Sequence, residues 1–238
     1  GKEDMYLAAT SEQPLCALHA NESLPSSELP IYYCGHSTCF RKELTSHGVD
    51  ASGVFRVHQF EKVEQFAVCS PDKSWEILEQ LLKTSEEFYQ SLNIPYQIVN
   101  IASKSLSKAA AKKYDLEGWF PSQGRCRELV SCSNCTDYQS RALQVRFGYA
   151  QMGMSHTSKR LQYVHMLNST LCASQRTLCC LLENCQTSAG IRVPEPLVIY
   201  VGTSFIPFVH KEPPSVFTGG GNKGGKQKKK SRRKDATD

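Results

Sequence analysis

With 238 residues, 40% of them hydrophobic and 21% charged, the chain is long enough to bury one sizeable core. No run approaches the roughly 18 apolar residues that span a bilayer, and no basic start followed by an apolar run opens the sequence, so membrane and secreted classes are excluded and a soluble cytoplasmic protein is expected. The net charge is +5, but eight of the 28 Lys/Arg and only two of the 23 Asp/Glu fall within Thr218–Asp238; the body is near neutral and attraction to polyanions is concentrated in the tail.

In chain order, Ile31 to Val68 reads as strand, loop, strand. Cys39 to Glu43 leads into the turn-rich Ser46–Gly53, and Val54 to Val68 is rich in Phe and Val, which predicts a long antiparallel hairpin. After the Ser70-Pro71-Asp72 breaker, Trp75, Leu78, Leu82 and Tyr89 recur at helical spacing to about Gln90. Tyr96 to Ile101 is a short strand, the alanines and lysines of Ser107 to Tyr114 suggest a helix, and Leu161 to Leu167 is another strand. Leu171 to Gln186 is predicted as a helix with Leu171, Leu178, Leu181, Leu182 and Cys185 inward. Hairpin strands with helices between and after them indicate α+β, an antiparallel sheet with helices on one side. Residues 1–217 form the folded core; the Gly/Lys/Arg segment 218–238 cannot bury apolar surface and is expected to be disordered.

Residues two apart on a strand share a face. Arg41 and Glu43 therefore point one way, as do Arg56, His58, Phe60, Lys62 and Glu64 on the partner strand. A solvated face with cross-strand ion pairs is the ordinary reading of such a pattern. Phe60 and Phe66 argue against it, since aromatic rings among charges suit stacking on a flat ligand.

The blocks Cys39-Phe40-Arg41-Lys42-Glu43 and Gly53 through Glu64 resemble motif 2 of the class II aminoacyl-tRNA synthetases in its seryl, cytosolic eukaryotic form. Ala9 through Pro14 resembles that family's serine-recognition loop, Arg127 through Cys135 is similarly diagnostic, and Leu167 through Leu178 resembles motif 3. The resemblance runs in order from about Lys2 to Pro196. It implies the class II catalytic fold, ATP-dependent activation of L-serine to seryl-adenylate, and transfer to tRNA(Ser), with tRNA(Sec) as a further acceptor.

Carried over position by position, the resemblance makes Arg41, Glu64 and Arg176 the catalytic residues. Arg41 would hold the α-phosphate and the serine carboxylate through its planar fork. Glu43 would accept the adenine amino group, and Phe60 and Arg176 would stack on opposite faces of adenine. Lys42, Val57, His58, Gln59, Leu129 and Val130 would complete the ATP site, and Glu128 and Ser131 would hold Mg²⁺ through hard oxygen ligands. Thr10, Glu12, Arg41, Glu64 and Asn168 would surround serine. Neither step demands a protein nucleophile.

Two parts of the family, an N-terminal coiled-coil arm that grips tRNA and motif 1 at the dimer interface, have no counterpart in this sequence. The fold is therefore expected to be incomplete at its N-terminal end; the full-length enzyme would be a homodimer, a state left open for this chain. Val49 stands where the hairpin turn usually carries Arg, and Ser140-Arg141-Ala142 lacks one of a customary arginine pair. Ser174-Gln175 differs from the threonine-rich lead into motif 3.

Competing motifs are weaker. Cys132-x-x-Cys135 lacks a second ligand pair, so no zinc is expected, and the eleven cysteines read as reduced thiols. Gly220 to Lys226 matches a P-loop spacing, but Gln227 replaces the Ser/Thr and no strand precedes it. The Lys228 to Lys234 run is a solubilising tail, a nuclear-import signal or a tRNA contact. The alternative functions are a non-catalytic synthetase-like paralogue, an inactive fragment acting as an interaction or nucleic-acid-binding module, and a synthetase for another amino acid.

Overall fold

The computed structural model describes residues 4–42, 55–148 and 161–209. Glu43, the hairpin turn through Val49, the Gly220–Lys226 run, the basic tail and its boundary at 217/218 lie outside the described residues.

The chain enters through the short helix α1 (Glu12–Ala17), then forms the hairpin of β2 (Ile31–Phe40) and β3 (Gln59–Cys69), where Gly35 stands opposite Glu64. The helix α2 (Ser74–Ser91) follows, and then β4 (Tyr96–Asn100), β5 (Lys112–Phe120) and β6 (Arg125–Asn134). The strand β9 (His165–Ala173) runs straight into α4 (Ser174–Cys185). These strands form one six-stranded sheet in the order β2-β3-β9-β6-β5-β4, antiparallel throughout.

One face of the sheet is covered by helices. α2 buries Ile77, Leu78, Leu81 and Leu82 against Ala67, Cys69, Cys132 and Leu167, each Leu or Ile contributing about 1.5–3 kcal/mol by leaving water. α4 extends that layer, with Cys180 and Leu181 against Leu116, Phe120 and Val130, and the Tyr89 hydroxyl of α2 is 3.0 Å from Thr177 of α4. On the opposite face, one end of β3 is roofed by α1, α3 (Tyr138–Leu143) and a small sheet of β1 (Ser23–Leu24), β7 (Arg146–Phe147) and β8 (Gln162–Tyr163). The hairpin of β10 (Gly190–Arg192) and β11 (Phe205–Pro207), spanned by α5 (Glu195–Val201), closes the described chain.

Four local expectations are corrected. Ser107–Tyr114 is not a helix: Lys112 already begins β5, and Ala111 donates to the Asn134 carbonyl at 2.8 Å, so ladder bonds override alanine's helical preference. Leu171 lies in β9, which shifts the phase of α4 so that Thr177, Cys180 and Leu181 are buried while Leu178 and Leu182 are exposed. Trp75 is 47% exposed, the inward ridge of α2 running through Ile77 and Leu81 instead. Phe66 shares the face of Phe60 but is 1% exposed beneath the roof, packed with Cys16, Val68, Val145 and Met166, and has no access to a ligand.

Candidate active site

Beyond the roof, the uncovered part of the sheet face holds a cavity of about 250 Å³. Its wall is built by the alternation on β3, which turns Phe60, Lys62 and Glu64 inward, with Arg41 at the end of β2, Asn168 and Thr170 from β9, and Arg176 from the first turn of α4. Two irregularities aim the remaining groups. Between Leu116 and Glu117 the β5–β6 register shifts, so that Glu117 pairs with Glu128 while Leu116 pairs with Val130. The extra residue, Leu129, lets Glu128 and Ser131, three apart, reach one face. A second shift, between Val63 and Glu64, leaves Leu171 extra and sets Thr170 opposite Glu64.

At one end of the cavity Glu64 is 3% exposed and accepts hydrogen bonds at both carboxylate oxygens. Its Oε2 accepts from the Thr10 hydroxyl (2.6 Å), the Ser11 hydroxyl (2.6 Å) and the Glu12 N–H (3.1 Å), and its Oε1 accepts from Lys62 Nζ at 2.5 Å. Burial acts to raise its pKa, but Lys62 and the two hydroxyls together hold it below the ordinary carboxylate range. Glu12 goes the other way, raised chiefly by burial and further by Glu64, while its Oε1 accepts from Gln139 (2.9 Å) and Asn168 (3.0 Å). Ser11 precedes α1 but makes no capping bond, because its hydroxyl is spent on Glu64.

That approach depends on Gly35, where a Cβ would lie 2.8 Å from Ser11 Oγ and 2.9 Å from Leu15 Cδ1. Gly35→Ala is expected to push the Thr10–Glu12 loop off Glu64. For the L-serine that the motif resemblance implies as ligand, this should raise the concentration needed for half-saturation by about tenfold, the scale of a buried charged hydrogen bond. Thermal unfolding should shift little, by about 1 kcal/mol. An unchanged amino-acid titration would show that the loop needs no such contact.

The other end is cationic and aromatic. Arg41 Cζ lies 5.1 Å from the Phe60 ring centroid, and the Phe55 ring has Arg176 at 4.4 Å and Arg127 at 4.5 Å. Phe55 meets Phe120 edge-on at 5.3 Å, and Arg176 Nη1 donates to the Glu128 carbonyl at 3.0 Å. Burial lowers the Arg176 pKa; Glu128 opposes the shift, and Arg127, Arg41 and Arg56 add to it. Such crowding of guanidinium groups suits a polyanionic ligand. Behind Glu128 and Ser131, burial and the neighbouring Glu128 push the Asp115 carboxyl up to about 6. Its Oδ1 is 3.2 Å from Lys113 Nζ but accepts no well-directed hydrogen bond.

Of the residues singled out in the sequence, Thr10, Glu12, Arg41, Val57, Phe60, Glu64, Glu128, Leu129, Ser131, Asn168 and Arg176 line this one cavity. Lys42, His58 and Gln59 stand outside the lining; His58 Nδ1 instead lies 3.1 Å from the Arg41 carbonyl and closes the hairpin end. Val130 points into the core on the other face. Phe55, Arg56, Lys62, Thr170, Ala173 and Gln175 line the cavity without having been assigned a ligand. The alternation expected from Val54 onward already placed Arg56 and Lys62 there, but β3 begins only at Gln59, and Arg56 and Val57 reach the cavity from the turn before it; nothing in the sequence marks Phe55.

An antiparallel sheet backed by helices, with its polar cavity on the sheet face between a motif 2 hairpin and a motif 3 strand and helix, has the architecture of a class II synthetase core, and the chain belongs to the family of the tRNA synthetase class II core domain (G, H, P, S and T), whose model matches residues 1–185. Within that family it is similar to the serine–tRNA ligases. It is 57% identical over 211 residues to the cytoplasmic serine–tRNA ligase of Dictyostelium discoideum, covering 89% of this chain and 46% of that protein. To that of Homo sapiens it is 56% identical over 216 residues, covering 89% and 41%. Among solved structures, the cytoplasmic serine–tRNA ligase of Naegleria fowleri in complex with AMP superposes with a TM-score of 0.81 at 56% identity, covering 88% of this chain and 48% of that one. The seryl-tRNA synthetase of Pyrococcus horikoshii complexed with ATP gives 0.80 at 47%, covering 87% and 45%. The chain spans about half the length of the curated relatives it matches.

Proposed function

We propose that this chain carries the serine-activating site of a cytoplasmic serine–tRNA ligase. The observation that supports the reading most is that one cavity gathers an acidic, hydroxyl-rich end at Thr10, Glu12, Glu64 and Asn168 and a cationic, aromatic end at Arg41, Phe60 and Arg176. The first suits the ammonium and hydroxyl of L-serine, the second the adenine and phosphates of ATP, and relatives that hold AMP and ATP share the fold. A serine carboxylate oxygen attacks the α-phosphorus, a P–O bond breaks and pyrophosphate leaves. A ribose hydroxyl of tRNA(Ser) then attacks the acyl carbon and AMP departs. Arg41 orients the attacking carboxylate and the α-phosphate, and Arg176 holds negative charge as pyrophosphate separates.

The hard oxygens of Glu128 and Ser131, brought to one cavity wall by the extra Leu129 between them, fit Mg²⁺. When bound, the ion would neutralise phosphate charge. A pocket that pairs every polar group of serine rejects alanine strongly, because loss of the hydroxyl leaves buried partners unmet. The reading extends to the homodimer and the grip on tRNA(Ser) or tRNA(Sec) of the whole enzyme, and to nuclear import through this chain's own basic tail at 218–238.

The deciding measurement is ATP–pyrophosphate exchange. Exchange is expected with serine and MgATP, to fall at least a hundredfold with alanine, and to disappear with EDTA. Exchange of equal rate without serine, or supported equally by alanine, would overturn the assignment.

A further inference from the structure

Among the described residues, Lys62 is the one buried cation on the cavity wall that the nucleotide and serine assignments leave without a task. It is 7% exposed, and its Nζ donates to Glu64 Oε1 at 2.5 Å and to Thr10 Oγ1 at 2.9 Å. A buried ammonium loses its hydration and persists only where it is paired and hydrogen-bonded. Both of its partners belong to the amino-acid end of the cavity. Glu64 Oε2 already accepts from Thr10, Ser11 and the Glu12 N–H. Oε1, which Lys62 holds, is the oxygen with acceptor capacity left for a substrate. We propose that Lys62 is a positioning residue of the amino-acid subsite, keeping Glu64 ionised and turned with Oε1 toward the cavity so that it can receive the α-ammonium of the substrate. The inference rests on the serine-activating reading above.

The charges around Glu64 make the role necessary. Glu12, the first residue of α1, adds a second carboxylate close by, and its own titration is raised by burial and by Glu64 and lowered by Lys62. Across the ladders Glu64 meets only the neutral Gly35 of β2 and Thr170 of β9. Lys62 is thus the compensating cation that contacts the buried Glu64 and faces the part-buried Glu12 beside it. Without it, burial and the Glu12 charge favour a proton on Glu64, and a protonated carboxyl is a poor partner for an ammonium.

The test is calorimetric titration of the whole chain with L-serine, and separately with ATP, between pH 6 and 8.5, using wild type, Lys62→Met and Lys62→Arg. Wild type is expected to bind serine almost independently of pH over this range. Lys62→Met should bind serine at least tenfold more weakly at pH 6.5 and recover most of that loss by pH 8.5, with ATP affinity changed less than threefold. Lys62→Arg retains the charge and should keep the wild-type pH response; it serves as the decisive variant should Lys62→Met not fold. Tighter serine binding in Lys62→Met would make Lys62 a competitor of the substrate and overturn the proposal. So would a loss independent of pH or shared equally with ATP, which marks a merely structural ion pair, and so would a folded Lys62→Arg with a new pH dependence. If wild type binds ATP but not serine, the serine-activating reading itself fails, and that result is distinct from all of these.

Discussion

Arg176→Ala is expected to lower serine-dependent pyrophosphate exchange by about a thousandfold, roughly 4 kcal/mol of transition-state stabilisation, the usual scale for removing a charged donor from a preorganised site. The side chain leaves the first turn of α4, is fixed by a hydrogen bond to the Glu128 carbonyl at 3.0 Å, and has the Phe55 ring 4.4 Å from Cζ. Those contacts hold its fork in place before a ligand arrives. Burial lowers its pKa first, and its neighbours Arg127, Arg41 and Arg56 repel it and add to that shift against the opposing Glu128. Removing the charge relieves that repulsion while forfeiting one hydrogen bond and one ring contact, so the melting free energy should stay within about 1 kcal/mol of wild type. Loss of exchange together with an unaltered melt is therefore the expected pair of results. Exchange within tenfold of wild type would remove Arg176 from the chemistry; collapse of the fold would give it a structural role instead.

The residues around Arg176 differ in how far local sequence pattern could place them. Period-two alternation sufficed to turn Phe60, Lys62 and Glu64 toward one face, because β3 is regular from Glu64 to Cys69 and the hairpin register carries the rest. The pairing of Glu128 with Ser131 is invisible to that rule, which sends residues three apart to opposite faces; only the extra Leu129 in the ladder reconciles them. The motif resemblance reached this pair because a family pattern carries bulges along with residues. Helix phases failed where an element boundary was misplaced. Taking Leu171 as helical rotated the inferred face of α4, so Leu178 and Leu182 seemed inward and Cys180 did not. The alanines before β5 misled for a different reason: a strand partner in the sheet decides more than intrinsic propensity does. Cavity membership of Phe55 had no signal at all, since a partly buried ring among Phe120, Arg127 and Arg176 is a fact of tertiary packing.

Phe60 and Phe66 lie on the same face of β3, six residues apart, and substituting each by alanine should have opposite consequences. Phe66 is 1% exposed under the roof of α1, α3 and the small sheet, where Cys16, Leu24, Val68, Val145, Val164 and Met166 surround it. Phe66→Ala removes most of a large ring and leaves a cavity that β3, held in ladders on both sides by β2 and β9, cannot close. A loss of about 3–5 kcal/mol is expected, which for a domain of this size lowers the Tm by roughly 6–20 °C. The damage should spread to the amino-acid end, because Thr10 and Ser11 reach Glu64 from the loop that enters the same roof. Phe60 stands in the cavity wall with Arg41 over its ring at 5.1 Å. Phe60→Ala should cost about 1 kcal/mol of stability, the value of one exposed cation–π contact, yet weaken ATP binding by tenfold or more through the lost stacking surface. Chemical denaturation and calorimetry with ATP on the two variants separate the cases. If Phe60→Ala proved the more unstable, or Phe66→Ala lost ATP affinity without losing stability, the division of this sheet face into a roofed core and an open site would be wrong.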